Sequence, residues 1–198
     1  AIVEYLDITQ KGKLPLLRPP VKEATSRVMQ IDAATRRNLE ITHSLTGGKA
    51  GSLLGTIDKT VTSGGARLLE RRMSSPSMDL DTIQNRQDAV QTMLDTSAIR
   101  RGLRDSLKKV PDLDRALSRI AMDRCGPRDL ASVRNGLTQA DDIYSSYHGQ
   151  ELPKILSAAL ADLQGHDALI DLLDQALVSD PPLLARDGGF IAPGYDSD

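Results

Sequence analysis

Apolar side chains recur at steps of three and four along most of this 198-residue chain. That period belongs to amphipathic helices, whereas half-buried strands alternate every second residue. The clearest run is Leu130, Val133, Leu137, Ala140, Tyr144 and Tyr147, with steps of 3, 4, 3, 4 and 3. It predicts one long helix with a heptad seam, opened by Gly126-Pro127, because proline is tolerated in a first turn. Leu152, Ile155, Leu156, Ala159, Leu160 and Leu163 form a further stripe, and Leu169, Leu172, Leu173, Ala176 and Leu177 another, ended by Asp180-Pro181-Pro182.

Upstream, Asp79 is placed to cap a helix over 80–94, residues 97–109 predict a second, and Asp112 caps a third carrying Leu113, Leu117 and Ile120. Residues 1–10 read as a short helix, and residues 11–20, with three prolines and a glycine, as a linker or extended segment. Val28–Ile31 alternates weakly, as a short strand would. Asp32 then caps a helix over 33–42, and residues 43–52 form a Gly-rich loop. Helical pattern resumes at Leu53 and runs towards Met73, weakened at Gly64-Gly65, until Ser74–Ser77 stops it. After Gly188 the chain is turn-rich, with one short strand at most. The expected fold class is all-α: a multi-helical domain of long packed helices.

Composition narrows this further. Aromatic residues make up 3% of the chain, with no Trp and one Phe. An aromatic-rich β-sandwich and a base-stacking platform for single strands are both poorly served by that content. The single cysteine, Cys125, leaves no disulfide framework or Cys-rich zinc site and suits a reducing, cytoplasmic setting. No stretch of about 18 apolar residues is present to span a membrane. The chain starts at Ala1 and reads as a piece of something longer. The net charge of −2 hides an asymmetry: residues 1–110 carry +6 and residues 150–198 carry −7. Solvated helix faces explain this most simply; a first part turned towards nucleic acid or an acidic partner is the functional alternative.

Tests for chemistry return little. Gly47-Gly48-Lys49-Ala50-Gly51-Ser52 invites comparison with a phosphate-binding loop. Such a loop needs a glycine where His43 stands and a hydroxyl residue where Ala50 follows the lysine. A mobile surface loop is the reading, without nucleotide or Mg²⁺. His43, His148 and His166 are scattered, Cys125 has no lysine or histidine nearby, and Asp141-Asp142 point in different directions on a helix. The expectation is no catalytic, cofactor-binding or metal-binding residue, and no enzyme activity in this segment. Arg36-Arg37 and Arg71-Arg72 each splay two guanidinium groups about 100° apart, one for solvent or phosphate and one for packing through its stem.

The run Ile31-Asp32-Ala33-Ala34-Thr35-Arg36-Arg37-Asn38-Leu39-Glu40 closely resembles the signature that opens the core domain of the MutS family of DNA mismatch repair proteins. Leu53-Leu54, Ile57-Asp58, Thr60, Thr62, Gly65 and Arg67-Leu68-Leu69 resemble the family's second signature. Pro76, Ile83, Arg86 and Asp88-Ala89-Val90 continue it. Tyr5-Leu6, Thr9-Gln10, Leu14-Pro15 and Leu17 match the exit from the connector domain. Asp112–Arg115 and Pro127–Leu130 look like lever motifs, and Gly188-Gly189, Ile191 and Gly194-Tyr195-Asp196 like the approach to the DNA clamp. Two residues depart from the pattern: Arg72 stands where many members carry a bulky apolar residue, and Gly64 where a larger one is usual.

The resemblance implies a connector remnant over 1–24, then core and the start of the lever over 25–198. It implies a scaffold that links mismatch binding to a distant ATPase domain, with no catalytic role of its own. For the parent it implies a DNA-dependent ATPase that uses ATP and Mg²⁺, binds mismatched double-stranded DNA as a homodimer, and meets a MutL-like repair partner in the bacterial cytoplasm at the nucleoid, not at a membrane. The residues it singles out are Asp32, Thr35, Arg36, Arg37, Asn38, Thr62, Gly65, Arg67, Gly188, Gly189, Gly194, Tyr195 and Asp196, in structural and coupling roles. An autonomous helical protein-interaction module is the alternative.

Overall fold

The computed structural model of the chain describes residues 2–9, 19 and 27–195. The predicted linker over 11–20 falls almost wholly outside them, as do the matches at Gln10, Leu14, Pro15 and Leu17. Among the described residues the architecture is all-α. The helices are α1 (Ile2–Thr9), α2 (Ala33–Asn38), α3 (Leu53–Ile57), α4 (Ser63–Ser74), α5 (Leu80–Asp95), α6 (Ser97–Leu107), α7 (Leu113–Ala121), α8 (Pro127–Tyr147), α9 (Lys154–Ala161) and α10 (Asp167–Ala176). The chain divides into two compact units: residues 22–108 with 148–161, and residues 1–21 with 109–147 and 162–198.

In the unit built on residues 22–108, α3 packs on α4, and α5 packs on α6 and α9. Three expectations change here. The predicted helix over 33–42 stops at Asn38, because Glu40 takes a left-handed φ of 48°. The Glu40 N–H then bonds the Arg37 carbonyl, and the Ile41 N–H the Arg36 carbonyl. That pair of reversed bonds is the Schellman helix ending, with a glutamate in the place glycine usually takes. The continuous helix from Leu53 to Met73 is broken in two, and the break lies before the glycines. Asp58 accepts hydrogen bonds from the Thr60 N–H at 3.0 Å and the Thr60 hydroxyl at 2.6 Å, a local turn that competes with the helix. Gly64-Gly65 fall in the first turn of α4. Val28–Ile31 forms no strand: Val28 makes an isolated bridge to Ser77, fixed by the Met29 N–H on the Pro76 carbonyl and the Met78 N–H on the Arg27 carbonyl.

In the other unit α8 is the axis, with α7 and α10 packed against it. The buried residues of α8 are Pro127, Ala131, Val133, Arg134, Gly136 and Ile143. Of the predicted seam only Val133 is fully buried; Leu130, Leu137, Ala140, Tyr144 and Tyr147 are half-buried. Two helices packing on one widen the covered face beyond a single heptad stripe. Ala116 of α7 and Leu177, just after α10, complete this core. At Gly136 the helices approach closely: an added Cβ would lie 2.5 Å from Leu113 Cδ2. α7 ends as α2 does, with Asp123 at φ 54° and the Arg124 N–H on the Arg119 carbonyl. The predicted turn-rich tail is present, with Leu177 and Ile191 joined by one isolated antiparallel bridge.

Candidate functional site

The signature residues of the first unit serve above all to start and stop helices. Asp32 is extended and caps α2, accepting from the Thr35 N–H at 2.9 Å and the Thr35 hydroxyl at 2.6 Å. These two bonds hold the Asp32 carboxyl below the usual carboxylate value. Thr62 caps α4 by accepting from the Gly65 N–H at 3.0 Å, and a Cβ on Gly65 would lie 2.8 Å from that hydroxyl. Side-chain size at position 65 is therefore limited by the cap itself. Asn38 closes α2, and its side chain is exposed, as is that of Arg67.

Between the two signatures, the Leu53 N–H bonds the Glu40 carbonyl and the Leu54 N–H the Ile41 carbonyl, which seats α3 on the turn after α2. The Gly-rich loop is tied down between them. Lys49 pairs with Glu70 at 3.0 Å, and the Ser52 hydroxyl donates to the Lys49 carbonyl at 2.7 Å. Ser52 is buried and caps α3 through the Gly55 N–H. The lysine that would have to meet a phosphate is thus engaged with a carboxylate.

The paired arginines divide as their splay predicts. Arg36 is half-buried and donates to the Ile31 carbonyl at 3.1 Å, while Arg37 is exposed. Arg71 is exposed and Arg72 half-buried. Burial first, then the charges of Arg86 and Arg71, push the Arg72 guanidinium below its ordinary value. The Nε atoms of Arg36, Arg72 and Arg86 are buried without a hydrogen-bond partner among the described residues.

In the second unit, Gly188, Gly189 and Gly194 all take left-handed φ values of 67°, 66° and 82°. They bend the chain where an L side chain would be strained. Tyr195 is exposed and its N–H closes a turn on the Ala192 carbonyl at 3.2 Å; Asp196 lies outside the described residues. The singled-out residues are therefore not gathered into one cluster: those from Asp32 to Arg67 belong to one unit and those from Gly188 onward to the other.

Sequence reasoning missed the polar residues that organise the second unit. Arg134 is 7% exposed and donates to the Val178 carbonyl at 3.2 Å and the Ser179 carbonyl at 2.9 Å. Its signal was present, since Leu130, Arg134 and Leu137 stand at i, i+4 and i+7, which puts an arginine on an apolar face. Asp129 accepts from the Arg119 Nε and the Gly126 N–H, both at 2.8 Å. Burial raises its pKa, but these two donors outweigh that effect and leave it below the usual value. Beside Arg134 lies an open groove of about 510 Å³, lined by Lys109, Asn135, Thr138 and Asp174 among others. Its lining is polar, unlike that of an enclosed small-molecule site. Among the described residues no three His, Cys, Asp or Glu side chains converge as metal ligands, and no helix is long and apolar enough to cross a membrane.

Capped helices, buried arginines that hold backbone, and close helix crossings define a helical scaffold. Comparison with known proteins gives it a family. The MutS domain III model matches residues 34–194, and the chain belongs to that family. Similar proteins include the DNA mismatch repair protein MutS of Ruegeria pomeroyi, 65% identical over 198 residues. Those of Cereibacter sphaeroides and Paracoccus denitrificans are each 61% identical over 198 residues. Each alignment covers 100% of this chain but 22–23% of the relative, so the chain spans less than a quarter of these proteins' length.

Proposed function

We propose that this chain is the core and the start of the lever of a MutS-type mismatch repair protein, a scaffold that transmits conformational change and performs no chemistry of its own. Residues 1–24 are the end of a connector segment, and residues 25–198 are core and lever. Mismatched double-stranded DNA is bound and ATP·Mg²⁺ hydrolysed elsewhere in the parent, which acts as a homodimer with a MutL-like partner in the bacterial cytoplasm, associated with the nucleoid through DNA. The observation that carries this reading is the match to MutS domain III across residues 34–194. The length of α8 supports it: 21 residues span about 32 Å, a rigid rod suited to carrying displacement between distant sites.

Coupling of this kind needs an element that both sites bias, and α8 is the candidate. Replacing Thr138 and Gln139 by glycine softens the middle of α8 at about 2 kcal/mol of helix propensity. In the full-length parent, mismatch binding and basal ATP hydrolysis are expected to persist separately, while stimulation of hydrolysis by mismatched DNA is lost. Undiminished stimulation would refute a transmitting role for α8. The chain by itself is expected to leave an ATP analogue unbound. Any DNA binding should be weak, salt-sensitive and indifferent to mismatches, as phosphate contacts alone dictate. A clear preference for a mismatched duplex would overturn the assignment of recognition to other parts of the parent.

A further inference from the structure

After α10 the chain leaves the helical layer and makes few bonds of its own. The Val178 N–H bonds the Phe190 carbonyl at 3.0 Å and the Ala192 N–H the Ala176 carbonyl at 2.9 Å. Between these lie Pro181, Pro182 and the left-handed Gly188 and Gly189, with only a short 3-10 turn at Ala185–Asp187. A two-bond bridge closing such a loop is weak by itself. What fixes it is α8. Arg134 bonds two successive carbonyls, of Val178 and Ser179, and the Arg128 Nε bonds the Pro181 carbonyl at 3.1 Å. Gly126 lies close against the Leu183 carbonyl, which a Cβ there would approach to 2.9 Å.

We propose that residues 177–192 form a strap that opens and closes as a unit, separately from the packing of α7, α8 and α10, and that Arg134 is its latch. Arg134 is suited to this because its guanidinium spans two carbonyls at once, which a lysine cannot do. The same guanidinium stands 3.7 Å from the Asp174 carboxylate, but Asp174 is 75% exposed, so the ion pair is screened by water. The latch is therefore the pair of carbonyl bonds. A strap held at one internal point is a low-stability unit of the kind that opens locally while the rest stays folded. The proposal does not depend on the transmission role.

Hydrogen exchange by mass spectrometry on the intact chain tests it, comparing wild type with R134M, R134K and D174N. Peptides covering 176–195 are expected to exchange about tenfold faster in R134M and R134K, while peptides from 113–147 keep their protection, as a local opening requires. D174N should exchange as wild type does. R134K keeps charge and most of the stem, so it decides the matter if R134M does not fold. Unchanged exchange over 176–195 in R134K would overturn the proposal. So would a rise that extends equally across 113–147, because Arg134 would then be a general core residue. A D174N profile equal to that of R134K would assign the latch to the ion pair and refute the carbonyl assignment.

Discussion

Gly136 sits mid-way along α8, where alanine is the better helix former by about 1 kcal/mol. Propensity alone therefore makes Gly136→Ala stabilising. The structure reverses the sign. The new Cβ would lie 2.5, 2.8 and 3.0 Å from Leu113 Cδ2, Cγ and Cδ1, where carbon pairs prefer about 3.5–4.0 Å. Rotating the Leu113 methyl groups does not relieve this, since Cγ itself is in the way. Either α7 retreats by about 1 Å or Leu113 leaves its rotamer, and overpacking of this type costs about 1–3 kcal/mol. Set against the propensity gain, the net expectation is a loss of about 1 kcal/mol, with an upper bound near 2. The assay is urea unfolding followed by helical circular dichroism, extended to a cycle with Leu113→Ala. Removing the leucine side chain abolishes the clash, so the double variant should be about 1–2 kcal/mol more stable than the two single losses sum to. A Gly136→Ala chain as stable as wild type, or a cycle that is additive, would refute the close-approach argument.

At Gly55 the obstruction is backbone: an added Cβ would lie 2.1 Å from the Lys49 carbonyl oxygen. Gly55→Ala should therefore cost at least about 3 kcal/mol, the top of the overpacking range, readable in the same unfolding experiment. Leu54 is fully buried, and Leu54→Ala should cost about 2–5 kcal/mol by calorimetry or denaturant, as buried leucines do. Ser52→Ala removes the cap of α3 and a buried bridge to the loop, an expected loss of about 1–2 kcal/mol in the same assay. The pKa of Asp129 is lowered in the folded state, so its contribution is full above the unfolded carboxylate value near 4 and is lost as pH falls through the folded value. Unfolding measured across that acid range should show a shallower loss for Asp129→Asn than for wild type, and parallel curves would show that Asp129 is not linked to stability.

Helices were legible wherever a cap and a period agreed. Asp79 with the stripe from Ile83, Asp112 with Leu113 and Pro127 with Leu130 each produced an element within a residue or two of its predicted start. The errors arose where a side chain redirected the backbone over a few residues. Asp58 turning back onto Thr60 broke a helix that hydrophobic spacing alone would continue, and Glu40 in the left-handed region ended another early. The face buried by α8 was misjudged because spacing within one helix does not reveal that two others pack against it. Ile143 and Gly136 belong to that wider face. The family signatures were readable as a run of residues, but their local work was not: Asp32 and Thr62 are caps, and the pairing of Lys49 with Glu70 depends on a fold that brings positions 21 apart together. Arg134 shows the remaining limit, since its position on the face was visible and the carbonyls it holds, 44 and 45 residues away, were not.

The two helix endings at Glu40 and Asp123 carry a consequence for how this chain tolerates sequence drift. Each places an L residue in a left-handed conformation that glycine or asparagine adopts more cheaply. Neither position contributes an apolar side chain to the core. Changes to glycine or asparagine there relieve strain without moving a helix, so both positions are reservoirs of stabilising mutation. A lineage that acquires a costly substitution in the core can recover its folded population at these endings, far in sequence from the damage.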